Sequence, residues 1–369
     1  MAPRRMPTLL HMALWLDYGG LENIIHTFSH VLRAKGYQVK IVALERDGRT
    51  FDRLRQDGFP VRLLGRRPGK FDPRLLARLV RFLREERIEV IHSHSGCIMY
   101  AALAGKLAGV RRIVHTEHGR YLPDSRGRIW EDRIFSRLID SYVCVSADLE
   151  RYMRGIIRVP ASKLATIING VDTRRYRSYG EDGRAALRRQ HGYGPDEVVV
   201  GTVCRLIPKK NVEFLLDWLL SRREDGRRYR LAVIGDGPSL PRLQKMAAAR
   251  PEAIRLLGMR SDVADWMNVF DVFALPSLTE GTSLTIMEAM ASELPVVVSE
   301  VGGNKEIVTH ERTGFLYPVN DMAAYSGLVD RLAASPGLRR ELGARARQDM
   351  EARFSMNAVL GRYEALYAA

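Results

Sequence analysis

Cysteine is scarce: the 369 residues contain three, Cys97, Cys144 and Cys204, far apart and with no CxxC pair. A disulfide framework and a thiolate metal ribbon are thereby excluded, and three separate thiols in apolar segments read as buried and reduced, as in a cytoplasmic protein. Long hydrophobic runs are missing too. No stretch approaches the ~20 apolar residues that a bilayer-spanning helix needs, which argues against an integral membrane protein. The opening MAPRRMPTLLHMALWLDYGG has a basic start, but its apolar part is short, contains His11 and lacks a small-residue cleavage site before Gly19 and Gly20. It reads as a first strand rather than a leader. No helix-turn-helix, zinc-finger or aromatic single-strand platform is visible to read bases, so nucleic acid is not the expected partner.

Charge balance is missing from one half only. Residues 1–180 carry 33 Lys and Arg against 18 Asp and Glu, whereas residues 181–369 carry 25 of each, so the whole net charge of +15 lies in the first half. That half is expected to meet something anionic.

What is present is an alternation of short apolar runs with amphipathic stretches, the pattern of strand-helix units around a parallel sheet. LLHMALWL, QVKIVAL, EVIHSH, RRIVHTEH and SYVCVS read as buried strands in the first half; EVVVGTVCRL, RLAVIGDG, IRLLG, VFALPS and PVVVS repeat the theme in the second. The fold class is therefore α/β, with two doubly wound, Rossmann-like domains facing across a cleft. Apolar periodicity lapses in ATIINGVDTRRYRSYGEDG. The join is placed there, giving domains 1–176 and 177–354, with a helix over about 355–369 free to pack back on the first domain.

Ligands of open α/β sheets bind beyond the carboxyl ends of the strands, so motifs just after strands carry the chemistry. DYGGLEN follows the first strand, and its Gly19 and Gly20 fit either a turn or a backbone that approaches a ligand closely. IGDGPSLPRL, with Gly235 and Gly237, fits a phosphate loop or, better on local grounds, a tight turn. CRLIPKKN places Arg205, Lys209 and Lys210 after the strand that opens the second half, where two cations suit a diphosphate or form a solvated cluster. In PSLTEGTSLTIMEAMASELPVVVS, seven residues separate Glu280 from Glu288. If a helix starts near Gly281, the amides of Gly281, Thr282, Ser283 and Leu284 form an anion site beside both carboxylates. The carboxylates would then bind hydroxyls of a ribose or hexose. The plainer alternative makes Glu280 an acid favoured by the helix dipole and Glu288 a solvated residue, which fits poorly with its apolar setting SLTIMEAMA.

Taken together, EGTSLTIME, VGGNKEIV, GGLE, HTEHG, VSADLERYM, INGVDTRRY, CRLIPKKN, VIGDGP and HERTGFLYPVND occur in an order that resembles the retaining glycosyltransferases of family four, with their E-x7-E signature and GT-B fold. The resemblance covers nearly the whole chain. It implies that Arg205 and Lys210 contact the donor diphosphate, Glu288 the nucleotide ribose and Glu280 the donor sugar. It further implies that the amides of Gly281 to Leu284 lie near the leaving group, that Gly19 and Gly20 belong to a loop closing over the phosphates, and that His118 faces the reacting sugar, with His115 a weaker rival. No cofactor or metal is implied, so a site built from His92, His94, His115 and His118 is not expected. The implied partners are a nucleotide-sugar donor and a glycan or lipid-linked acceptor in cell-surface polysaccharide, lipopolysaccharide or glycolipid synthesis. Peripheral contact with anionic membrane at its inner face is expected through the basic domain. Arg74, Arg78, Arg81 and Arg84, spaced along one face of FDPRLLARLVRFLREER, suggest either such a contact or a solvated face over a core-packed stripe. A non-catalytic nucleotide-sugar binder and a sugar-nucleotide epimerase of the same fold are the alternatives.

Three departures from the family pattern involve four positions. Thr282 and Ser283 replace a common aromatic and glycine, leaving the sugar open. Asn211 replaces a glycine. Glu293 stands where glycine often ends the helix; a left-handed residue there would cost about 1 kcal/mol, so another conformation is expected.

Overall fold

A computed structural model describes residues 6–17, 19–67, 71–120, 124–222 and 228–368. The basic residues before Met6 and Tyr18 of DYGGLEN lie outside these. The chain divides into two compact units, residues 1–169 with 359–369, and residues 170–358. The first holds a parallel seven-stranded sheet of β1 (Thr8–Trp15), β2 (Gln38–Arg46), β3 (Val61–Leu63), β4 (Val90–His94), β5 (Arg112–Glu117), β6 (Ser141–Cys144) and β7 (Leu164–Thr166), in the order β3-β2-β1-β4-β5-β6-β7. The second holds a parallel six-stranded sheet of β8 (Glu197–Val203), β9 (Arg228–Ile234), β10 (Ile254–Leu256), β11 (Val272–Leu275), β12 (Val296–Ser299) and β13 (Phe315–Tyr317), in the order β10-β9-β8-β11-β12-β13. Both are doubly wound. Central strands such as VVVS are wholly buried because helices cover both faces, which is why they read as continuous apolar runs rather than alternating ones.

The division falls at 169/170 instead of 176/177. Val171 N–H donates to the Phe354 carbonyl at 2.8 Å and its own carbonyl accepts from Met356 N–H, so the two crossing segments are already bonded within the second unit. Residues 359–368 belong to the first unit. There Tyr363 packs edge-on against Phe28, with ring centroids 5.4 Å apart, and Tyr367 shares a 2.7 Å hydrogen bond with His92.

Helix Pro73–Glu85 is capped by Asp72, whose carboxylate accepts from Arg74 and Leu75 N–H, and it buries Leu75, Leu79, Phe82 and Leu83. Its apolar stripe is therefore core, while Arg78 and Arg84 donate to the carbonyls of Leu64 and Leu107. Among the described residues no helix is long and apolar enough to cross a membrane. The three cysteines are free, and burial pushes each thiol well up, that of Cys204 to about 12.

Candidate active site

In the second unit, strand order reverses between β8 and β11, so the loops leaving these two strands meet at the switch point. The loop after β8 carries Arg205 and Lys210; the loop after β11 carries Ser277 and Glu280. Leu278 N–H donates to the Lys209 carbonyl at 2.8 Å and ties them together. Lys210 ends a short 3-10 turn, followed by Asn211 in the left-handed region at φ 53°, a conformation that asparagine tolerates better than most residues. The Lys210 ammonium donates to Glu280 Oε2, which also accepts from Ser277 Oγ at 2.9 Å. Both side chains are largely buried, at 14% and 12% exposure. Arg205 is exposed, and its guanidinium has no partner among the described residues.

Two glycine pairs brace these loops. A Cβ at Gly235 or Gly237 would lie 1.9 or 2.4 Å from the carbonyl oxygens of Cys204 and Leu206, so VIGDGP is glycine-rich because it packs directly beneath the CRLIPKKN backbone. This favours the tight-turn reading. Gly302 and Gly303 of VGGN do the same under the other loop, where a Cβ would meet the carbonyls of Glu280 and Gly281. Sequence reasoning noted VGGN without assigning it a task.

Helix Leu284–Ala291 begins later than expected, with Ser283 as its N-cap residue. Gly281 and Thr282 lie in the preceding loop, and the first-turn amides come from Leu284 onward. The Ser283 hydroxyl makes no cap; it shares a 3.2 Å bond with Thr285 Oγ1. Glu288 is half-buried one turn further on, where burial raises its carboxyl to about 7, partly opposed by the Tyr176 hydroxyl that donates to it and by the charge of Arg175. Tyr176 and Arg175 were missed, although INGVDTRRY stood out as a motif. The helix ends on Glu293 at φ 59°, contrary to expectation. Glu293 N–H bonds the Met290 carbonyl and Leu294 N–H the Ala289 carbonyl, the paired bonds of a Schellman end, which require a left-handed residue whatever its identity.

In the first unit, Gly20 is not in a loop but is the first residue of helix Gly20–Ala34. Gly19 is extended, and its value is space: a Cβ would lie 2.4 Å from Glu22 Oε2. Glu22 folds back over the head of the helix, with a carboxyl raised by burial. Any phosphate there would compete with it for the same amides.

His118 follows β5. Its N–H donates to Ser95 Oγ at 2.9 Å, and Ser95 Oγ donates to Glu117. Its Nε2 shares a 3.0 Å bond with His94 Nδ1, and His94 Nε2 shares one of 3.2 Å with His11 Nδ1. The outer ends of this chain, His118 Nδ1 and His11 Nε2, are buried without a partner among the described residues. Burial lowers His118 to about 4 and His11 to about 3. His115 is fully buried on β5 against Ser93 Oγ at 2.9 Å, so only His118 of the two rivals reaches the surface. His11, His92 and His94 bring ring nitrogens within 4.8 Å of one another. However, His92 is engaged by Thr116 and Tyr367, and His94 by His11 and His118, so a neutral hydrogen-bond web accounts for the cluster. His115 stands outside it.

Comparison with known proteins follows the two units. Residues 18–175 match the model "Glycosyltransferase Family 4" and residues 197–335 match "Glycosyl transferases group 1". The chain is 31% identical over 298 residues, 75% of each chain, to the GDP-mannose-dependent alpha-(1-6)-phosphatidylinositol monomannoside mannosyltransferase of Mycolicibacterium smegmatis. It is 27% identical over 273 residues, 71% of this chain and 70% of the other, to the UDP-Gal:alpha-D-GlcNAc-diphosphoundecaprenol alpha-1,3-galactosyltransferase of Escherichia coli. The solved structure of HepE from Anabaena with UDP superposes with a TM-score of 0.86 at 22% identity, covering 98% of this chain and 100% of that one, and shares the GT-B fold. The chain is a glycosyltransferase and belongs to family four.

Proposed function

We propose that the chain transfers a sugar from a nucleoside-diphosphate sugar to an acceptor hydroxyl with retention of anomeric configuration, in the synthesis of a cell-surface polysaccharide, lipopolysaccharide or glycolipid. One observation carries the reading: an exposed Arg205 and a Glu280-paired Lys210 stand at the switch point of one sheet, beside the helix that holds Glu288. Two cations there suit a diphosphate and two carboxylates suit sugar hydroxyls. The named relatives use UDP-galactose and GDP-mannose, with lipid acceptors.

In the proposed step the acceptor oxygen bonds to the anomeric carbon on the face from which the diphosphate departs. The bond from that carbon to the diphosphate oxygen breaks, and the acceptor proton passes to the departing diphosphate. Arg205 and Lys210 stabilise the charge that develops there, Glu288 holds the ribose, and Glu280 the donor sugar. The amides of Gly281 to Leu284 lie toward the leaving group, the Gly19–Gly20 segment adjoins the phosphates, and His118 faces the sugar. This chemistry needs no metal, so a chelator should leave turnover intact; loss restored by a divalent ion would remove that part. The test is product analysis with a panel of nucleotide sugars and lipid-diphosphate acceptors. Transfer with the donor's anomeric configuration kept is expected. An inverted product would overturn the mechanism, turnover without acceptor would favour an epimerase, and binding without turnover a non-catalytic protein.

A further inference from the structure

Four of the twelve large apolar side chains exposed among the described residues lie together in the first unit: Trp130, Ile134, Leu138 and Ile156, each 37–57% exposed. Trp130 and Ile134 are one turn apart on helix Arg126–Phe135, and the chain keeps turning past its end, with Leu138 N–H on the Phe135 carbonyl at 3.0 Å. Arg133 joins this helix to the turn Met153–Ile157 beside it. Its guanidinium donates to the carbonyls of Ile156 at 2.7 Å and Ile157 at 3.0 Å, and lies 5.1 Å from the Trp130 ring centroid. Ile156 is thereby drawn alongside the helix. The opposite side of the helix is fixed from below: Asp132, two residues on from Trp130, is buried in an ion pair with Arg120, which also pairs with Glu117 and Asp124. The apolar face is rigidly presented.

We infer that this Trp130–Ile134–Ile156 face is the surface by which the protein rests on anionic lipid. Tryptophan with aliphatic neighbours and an arginine fringe is the composition of an interfacial contact, in which the apolar side chains enter the headgroup boundary and cations remain at the phosphates. Arg126, Arg137 and Arg158 are exposed around the patch. The charge argument selects lipid over a second copy of the chain. Residues 1–169 carry 30 Lys and Arg against 17 Asp and Glu, so two copies would bring like charge together, whereas an anionic bilayer neutralises it. Helix Pro73–Glu85 is the poorer choice because its apolar stripe is spent in the core. This inference deepens the proposed function by placing the lipid of a lipid-linked acceptor against the unit that holds His118.

The test uses the full chain and vesicles of phosphatidylcholine with or without phosphatidylglycerol. Binding is expected only with the anionic lipid and should fall as salt rises. Acyl-brominated lipid should quench tryptophan fluorescence, and Trp130→Phe should abolish most of that quenching. Trp130→Ser with Ile134→Ser should weaken partition about tenfold or more, whereas substituting Arg78 and Arg81 by Gln should change it less than threefold. Unchanged partition of the Ser variant, or quenching that survives Trp130→Phe, overturns the inference. So does a wild-type dimer that Ile134→Glu dissociates, which would assign the face to a second copy. Nucleoside-diphosphate affinity of the Ser variant should match wild type. Vesicle binding by this face in a protein that transfers no sugar would sink the proposed function and leave the surface standing.

Discussion

Lys210 and Glu280 are bonded to one another. The residue assigned to the donor diphosphate and the residue assigned to the donor sugar therefore neutralise each other before any ligand arrives, and Ser277 fixes the shared carboxylate oxygen. A diphosphate must draw Lys210 part of the way from its partner. Glu280→Gln should accordingly tighten nucleoside-diphosphate binding several-fold while lowering turnover, because the ammonium is released from its counter-charge. Lys210→Ala and Arg205→Ala should each lower kcat by about 10²-fold or more. Calorimetry and steady-state kinetics on the three variants check this. Weaker binding in Glu280→Gln would mean the carboxylate itself meets the nucleotide, and near-normal turnover without either cation would remove the diphosphate assignment.

Glu288 gives a pH dependence with a definite sign. Its carboxyl is raised by burial from 4.5 to about 7, so between these values the folded protein holds a proton that the unfolded chain has released. Stability from this group therefore falls as pH rises from about 4.5 to about 7 and stays low above. At pH 8 Glu288→Gln should be more stable than wild type, by up to about 3 kcal/mol. In the other direction, a ribose diol needs an acceptor, so nucleoside-diphosphate affinity should climb between pH 6 and 8 and the climb should flatten in the Gln variant. Denaturant titration and calorimetry across pH would expose the assignment as mistaken if wild type and variant ran in parallel.

The Schellman end at Glu293 yields a stability prediction. A left-handed non-glycine residue costs about 1–2 kcal/mol, of which glycine would recover part while adding unfolded-state freedom. Glu293→Gly should stabilise the protein by about 0.5–1 kcal/mol. Glu293→Ala should not. Thermal melts showing no difference between the two would mean the strain is relieved elsewhere, for instance where Gly343 packs against the Glu293 carbonyl.

Ten of the thirteen strands were legible as apolar runs. β3, β7 and β13 were not, since three residues at or near a sheet edge leave no periodicity to read. Glu280, Glu288, Arg205 and Lys210 stood out because charged residues after apolar strands are conspicuous. What stayed hidden were relationships that only folding creates. The helix starts at Leu284, after a Glu280–Gly281 backbone that packs on Gly302 and Gly303, and no local signal distinguishes that from a helix starting at Gly281. Tyr176 reaches Glu288 across more than a hundred residues. His11, in the middle of β1, reads as a polar interruption of a strand until β4 is laid beside it.

That adjacency makes the last prediction. His118, His94 and His11 form a line of three rings in which each internal nitrogen has one partner. Burial holds His118 near pKa 4, so it is neutral at pH 7 and carries a single N–H, as do the rings behind it. The protons must then run one way. If each sits on Nε2, the unpaired N–H is that of His11, fully buried in the sheet. If each sits on Nδ1, the unpaired N–H is that of His118, whose loop reaches the surface and can find an acceptor in a bound ligand. An orphaned buried donor costs about 1–3 kcal/mol, so the second arrangement is expected. Histidine in water prefers the opposite tautomer, which makes the effect readable. In protein labelled with ¹⁵N at histidine, His118 should show a protonated Nδ1 from pH 6 to 8. His94→Leu should return it to Nε2–H and lower kcat about tenfold or more, with nucleoside-diphosphate affinity unchanged. A wild-type His118 already protonated at Nε2 would show that the chain does not set its tautomer. A tautomer that flips without loss of turnover would take His118 out of the reaction.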